Sequence, residues 1–214
     1  MLYWHARLPR SFQYRLLEFF NHGYPIKHSQ QHFISTLEIG AGLGEHIAQQ
    51  SLTDRQRKAY VALELRENMA ASIQKRFPDI TTCITDCQAR LPFLDNTFDR
   101  IIAIHVLEHL PNLPQALSEM HRVCHKEKGR LLVVIPCEGG YLYTLLRKIT
   151  SARLFEKRYK TAYAPFIARE HCNLPCEIFE ALEAYFTIEN KRYYPFLIPS
   201  VDANILIGLT LIPR

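Results

Sequence analysis

The sequence predicts an α/β fold in which a parallel sheet is covered by helices on both faces. Three observations carry that expectation. From about residue 34 to 150, short apolar runs alternate with helix-like stretches in a β-α-β-α-β rhythm. The apolar runs are near-continuous, as strands buried on both faces are. The first of them ends in glycine-rich sequence, as a strand does when it turns sharply into a helix.

Taken in order, FISTLEI (33–39) is the first strand, closed by glycines at 40, 42 and 44. AYVALEL (59–65) is the second, followed by a helical stretch to Phe77-Pro78. DITTCIT (79–85) and FDRIIAIHVL (98–107) read as the third and fourth. After Pro111 a helix carries Leu113, Ala116, Leu117, Met120 and Val123 at three- and four-residue spacing. Gly129 punctuates before RLLVVIP (130–136), a fifth strand closed by proline.

Both ends depart from the alternation. A helix is expected over Ser11–Phe20, and residues 139–170 read as helical, then irregular. EIFEALEAYF (177–186) is an amphipathic helix, and two late strands follow at 187–196 and 203–212. With no repeats or linkers, 1–214 reads as one domain: an N-terminal helical cap (1–33), a core (34–136), an insert (137–176), and a final helix and hairpin (177–214).

Composition excludes several classes. The chain is 48% apolar and 22% charged, close to the globular average, which argues against disorder, collagen and coiled coil. Its longest apolar runs, such as LLVVI, fall far short of the ~18–20 residues that span a bilayer. Six scattered cysteines and an N-terminus without an apolar leader predict a cytoplasmic protein with reduced thiols. Two CxxxC pairs lack the further cysteine of a radical iron–sulfur motif, because Arg90 and Phe179 stand there.

The chemistry begins at Leu37-Glu38-Ile39-Gly40-Ala41-Gly42-Leu43-Gly44. Glycines let the backbone approach a ligand, and the next helix offers free N–H groups. A dinucleotide fingerprint needs its third glycine at 45, where Glu45 stands and would repel a pyrophosphate. The loop therefore suits a ligand without phosphates, such as a zwitterion whose ammonium meets Glu38. Glu64 ends the second strand, where a carboxylate can accept ribose hydroxyls, and Asp86 follows the third, placed for an exocyclic adenine amine.

With those residues in place the sequence resembles the class I S-adenosylmethionine-dependent methyltransferases, in their small-molecule, methyltransferase 11-like subfamily. LEIGAGLG is similar to the family's first motif and ALE (62–64) to the acidic end of its second strand. TDCQARLPFLDNTFD (85–99), IIAIHVLEHLPN (101–112) and ALSEMHRVCHKEKGRLLVVIP (116–136) follow the later blocks in order. KEKG (126–129) departs where the subfamily often has paired glycines. The resemblance implies a Rossmann-like seven-stranded sheet of order 3-2-1-4-5-7-6 with strand 7 antiparallel, and S-adenosyl-L-methionine as cofactor. It places Glu38, Gly40, Gly42 and Gly44 on the methionine portion, with His105 near it. Glu64 falls on the ribose, Leu65 against the adenine, and Asp86 with the Cys87 backbone at the adenine amine.

The expected reaction is in-line methyl transfer, which asks mainly for positioning and water exclusion. His105, His109 and His171 are candidate bases, with His105 favoured as a cofactor neighbour; no metal is expected. Alternatives are a non-catalytic cofactor-binding module or partner subunit, an NAD-dependent oxidoreductase, and a zinc hydrolase. Glu45 and the lack of any Tyr-x-x-x-Lys pair weigh against the oxidoreductase. His105-Val-Leu-Glu108-His109 matches HxxEH, but the first His ends a strand and Pro111 cuts any helix short.

Acceptor-side residues are expected in the N-terminal helix, including Tyr14, at His109, and in the insert at Arg153, Lys157, Arg158 and Lys160. Residues 147–160 hold six basic side chains against Glu156 alone, a surplus equal to the chain's whole net charge of +5. Basic and aromatic residues together suit an acidic, aromatic or lipid-like acceptor and contact with an anionic membrane surface. The patch is too narrow for tracking nucleic acid.

Overall fold

The computed structural model describes residues 12–30 and 32–214, with side chains from Leu17 onward. Its elements are α1 (Phe12–His28), β1 (Thr36–Ile39), α2 (Glu45–Gln49), α3 (Asp54–Lys58), β2 (Tyr60–Leu63), α4 (Glu67–Arg76) and β3 (Thr81–Cys83). Then come β4 (Arg100–Ile104), a 3₁₀ turn (Leu107–His109), α5 (Leu113–Val123) and β5 (Arg130–Pro136). The chain continues through α6 (Tyr141–Arg147), a π turn (Lys148–Ala152), α7 (Arg153–Tyr159), α8 (Tyr163–Glu170) and α9 (Pro175–Glu183). It closes with β6 (Phe186–Tyr194) and β7 (Leu206–Pro213).

The strands form one seven-stranded sheet in the order β3-β2-β1-β4-β5-β7-β6. β1 to β5 pair in parallel, and β7 is antiparallel to both β5 and β6. β6 therefore runs with β1–β5 and ends on the same edge. That edge, at the C-terminal ends of the parallel strands, is where open α/β sheets bind ligands. The order and the antiparallel seventh strand are those the sequence leads one to expect.

The two faces of the sheet differ in chemistry. Leu37, Ile39, Ile101, Ala103, Leu131, Val133 and Ile135 face a dry core built with α5 and α9. Burying such side chains supplies roughly 1.5–3 kcal/mol each. α5 fits because Leu113, Ala116, Leu117, Met120 and Val123 recur on one side and are all buried. On the other face, α2 and α4 cover Tyr60 and Ala62 through Ile47 and Ile73, and α1 lies across β7. There the Tyr24 hydroxyl meets Thr210 Oγ1 at 3.1 Å. This face also buries Thr36, Glu38 and Arg100.

Two expectations are corrected. α1 runs on past Phe20 to His28, through Gly23 and Pro25, against their low helix propensity; Tyr24, packed against Gly208 of β7, anchors it. Residues 139–170, read as helical and then irregular, are helical almost throughout and end in α8. α3, which the sequence did not suggest, is held by a capping box between Thr53 and Gln56.

Candidate active site

A cavity of about 550 Å³ opens at the C-terminal edge, between the loops after β1 to β4 and the side of α1. Its floor is the glycine loop. Gly40 has φ +66°, and a Cβ there would lie 2.7 Å from Val106 Cγ2, so both the backbone conformation and the space demand glycine. The Gly42 N–H donates to Glu64 Oε2 at 2.9 Å, tying this loop to the end of β2. Glu45 folds back so that Oε2 accepts from the Leu43 N–H at 3.0 Å.

The acids sit at graded depths. Glu64 is 1% exposed, and its Oε1 also accepts from the Arg66 N–H (3.0 Å) and Nε (2.9 Å). Three of its roughly four lone-pair positions are thus taken, leaving one open while the Arg66 side chain stays in place. Asp86 is half-buried and accepts from the Gln88 N–H at 2.9 Å. Leu65, between them, lines the cavity yet is 62% exposed, an apolar platform facing it. Beside it Cys87 is buried, and burial pushes its thiol up to about 12, away from nucleophilic use.

Glu38 lies deeper. Burial pushes its carboxyl up to about 8, although Tyr60 donates its hydroxyl to Oε2 at 2.7 Å and Arg100 adds an opposing charge. Arg100 is itself buried, with Nε on Thr36 Oγ1 (3.0 Å), Nη2 on Gln50 Oε1 (2.6 Å) and its guanidinium over the Phe33 ring. Glu38 is therefore a carboxyl held against its preference, beside a cavity.

α1 and the loop after β4 form the opposite wall. Asn21 Nδ2 donates to Glu18 Oε1 (3.3 Å), and its Oδ1 faces His105 Nε2 at 2.9 Å. His105 Nδ1 in turn faces Glu108 Oε1 at 3.1 Å. Burial alone would raise the Glu108 carboxyl, but that contact and the charges of His105 and His109 hold it below its usual value. His105 adopts φ +53°, uncommon for a residue with a side chain. His46 is 1% exposed, stacks on His22 and has neither ring nitrogen hydrogen-bonded. Burial, ahead of the charges of His22 and Arg100, holds its pKa well below the usual value.

Glu38, Gly40, Gly42, Glu64, Leu65, Asp86, Cys87, His105 and His109 all line this cavity. Gly44 does not: at φ +78° it caps α2 from behind, with Phe77 against it. His171 also falls outside the lining. Its Nδ1 contacts Glu138 Oε2 at 2.7 Å, and its ring meets His109 edge-on at 4.7 Å. Arg153, Lys157, Arg158 and Lys160 stand exposed on or just after α7, away from the cavity wall. The Tyr14 side chain lies outside the described residues. No set of three His, Cys, Asp or Glu converges as a metal site among the described residues.

Sequence reasoning missed Asn21, His22, His46, Glu108 and the Arg100–Tyr60 support beneath Glu38. Only the HxxEH spacing pointed at Glu108, and it suggested zinc. Asn21 and His105 are 84 positions apart, so nothing local could pair them.

The cavity fits an adenosyl sulfonium amino acid by its own chemistry. It offers a buried acid for an ammonium, an acceptor for a ribose hydroxyl, an apolar platform for a base and a partly free carboxylate beyond it. Its volume suits a ligand of that size. Sheet order, glycine loop and the paired acids together define a class I S-adenosylmethionine-dependent methyltransferase fold. Comparison with known proteins agrees: residues 37–133 match the model of a family described as a methyltransferase domain. S-adenosylmethionine is the methyl donor that the domain implies.

An uncharacterized protein of Methanocaldococcus jannaschii is 37% identical over 99 residues, 46% of this chain and 39% of that protein, so the match spans well under half of the relative. A TehB-like SAM-dependent methyltransferase from Corynebacterium glutamicum shares the fold with TM-score 0.62 at 15% identity, covering 94% of this chain and 95% of the other. The [4+2]-cyclase SpnF does so with TM-score 0.66 at 14% identity, covering 96% and 83%. Among the described residues no helix is long and apolar enough to cross a membrane.

Proposed function

We propose that the protein transfers a methyl group from S-adenosylmethionine to a small or amphiphilic acceptor. The observation that supports this reading best is the convergence of Glu38, the glycine loop, Glu64, Leu65 and Asp86 on one cavity at the binding edge of the sheet. In the proposed assignment Glu38 meets the donor's ammonium, Glu64 a ribose hydroxyl and Asp86 the adenine amine, with Leu65 under the ring. Taking a second ribose hydroxyl requires the Arg66 side chain to leave Glu64.

When bound, the donor supplies an already activated sulfonium methyl, so the chain's task is to position and to exclude water. Glu18, Asn21, His105 and Glu108 form a hydrogen-bonded wall across the cavity and hold its width. Both nitrogens of His105 are engaged, which favours a positioning role over that of a base. His109 suits the base role better. Its Nδ1 donates to the Glu170 carbonyl at 2.6 Å, which leaves Nε2 with its lone pair, on a ring that lines the cavity. His171, edge-on to His109 and held by Glu138, is proposed to fix that ring's orientation.

The test is a transfer assay with methyl-labelled S-adenosylmethionine and cell extract, partitioned into aqueous and organic phases. Label in an acceptor, lost in a His109→Ala variant that still binds S-adenosylhomocysteine, is the expected result. Binding without transfer to any fraction would instead support a non-catalytic cofactor-binding module.

A further inference from the structure

Several of the large exposed apolar side chains fall in the β6–β7 connection and along α6 and the π turn after it. Phe196, Leu197 and Ile198, consecutive in the β6–β7 connection, are 53%, 78% and 59% exposed. That connection is firmly built. Asn204, fully buried, accepts from the Phe196 N–H and donates to the carbonyls of Ile198 and Ser200, each at 2.8 Å. The same loop is fastened to the start of α6, where the Leu142 N–H donates to the Asp202 carbonyl at 3.0 Å. A Cβ on Gly140 would lie 2.3 Å from the Val201 carbonyl oxygen, so the two segments are in direct contact. A buried asparagine thus organises a loop whose three apolar side chains point into water. Left in solvent, such side chains gain nothing from their order; their burial against another surface would.

α6 and the π turn continue the surface. Tyr141, Leu145 and Ile149 recur every four residues, so they share one helix face, and all are exposed. Interleaved and following are Lys148, Arg153, Lys157, Arg158 and Lys160, all exposed. Arg147 differs, because Glu138 takes its charge. The rim lies on the edge where the cavity opens: β5 and β6 end there, and α6 and the β6–β7 loop follow them directly. Next to the end of β6, Phe19 of α1 is 74% exposed, and its neighbour Phe20 stacks on Tyr194.

We propose that this surface seats the protein on an anionic lipid bilayer, with the cavity mouth at the interface. Resting on the proposed methyl transfer, the acceptor is then an amphiphile resident in that bilayer. Cations beside bulky apolar side chains are what such an interface retains. A second copy is disfavoured, since a two-fold contact would set five cations against the same five. Nucleic acid would engage the cations but leave Leu197 and Ile198 without use.

Flotation with vesicles of equal parts phosphatidylglycerol and phosphatidylcholine, and of phosphatidylcholine alone, tests the proposal. The full chain should bind the anionic vesicles roughly tenfold or more tightly, with binding weakened by salt. Phe196→Ser/Leu197→Ser/Ile198→Ser should lose roughly tenfold or more while its S-adenosylhomocysteine affinity, measured calorimetrically, stays unchanged. Lys157→Gln/Arg158→Gln should weaken vesicle binding without touching the loop. Equal binding by the parent and both variants, or no binding by the folded parent, overturns the proposal. So does a parent that is dimeric in solution and made monomeric by the loop variant. Vesicle binding without any affinity for S-adenosylhomocysteine would leave the membrane surface standing and remove the transfer reading instead.

Discussion

Glu38 shows how a single residue carries both cost and use. Burial raises its carboxyl to about 8, against 4.5 for an ordinary glutamate. Between those values the folded chain keeps a proton that the unfolded chain releases, so this residue's contribution to stability is lost as pH rises toward 8. Glu38→Gln removes that dependence. Its stability relative to the parent should therefore grow between about pH 5 and 8, by up to ~1.4 kcal/mol per unit, in denaturant unfolding at each pH. A constant difference would show that Glu38 does not titrate there. The same variant should bind S-adenosylmethionine more weakly, since it has no charge for an ammonium. Asp86→Ala should weaken cofactor binding by about 1–3 kcal/mol, the cost of a lost buried partner; unchanged affinity in a folded variant would reassign the adenine end. Glu38, Glu64 and Asp86 were legible because each ends or follows an apolar run that reads as a strand. Arg100 was not. A charged residue opening an apolar strand reads as its exposed end, and only the fold brings Thr36, Gln50 and Phe33 around it.

At the scale of elements, α1 decides the shape of the site, because it alone brings Glu18, Asn21 and His22 to the cavity. Its seat is Gly208 of β7, where a Cβ would lie 2.6 Å from the Tyr24 ring. Gly208→Ala should lift that contact and cost about 1–3 kcal/mol of stability in thermal or denaturant melts. Loss below that range would mean that α1 repacks freely. The strands and α5 were readable from periodicity, since apolar runs and a three-to-four spacing are local signals. α8 was not, because no capping side chain marks its start after Ala162. The role of α1 was hidden for a different reason: its partners lie on β5, on β7 and on and just after β4, far along the chain.

For the whole molecule, charge and apolar surface are sorted by place. Residues 147–160 carry a surplus equal to the net charge, and the exposed apolar side chains of α6 and the β6–β7 connection lie on the sheet edge where the cavity opens. The charge run was visible in the sequence, whereas Phe196 read there as the last residue of a strand, with Leu197 and Ile198 in the connection after it. Only the buried Asn204 and the turn it organises reveal them as a displayed edge. The basic side chains expected on the acceptor side stand exposed on and just after α7, outside the cavity lining. All of this depends on the cavity holding the donor. Calorimetric titration of the folded chain with S-adenosylmethionine and S-adenosylhomocysteine tests that most directly. Saturable binding of both at one site, weakened by Asp86→Ala, is the predicted result; no binding of either ligand would contradict it.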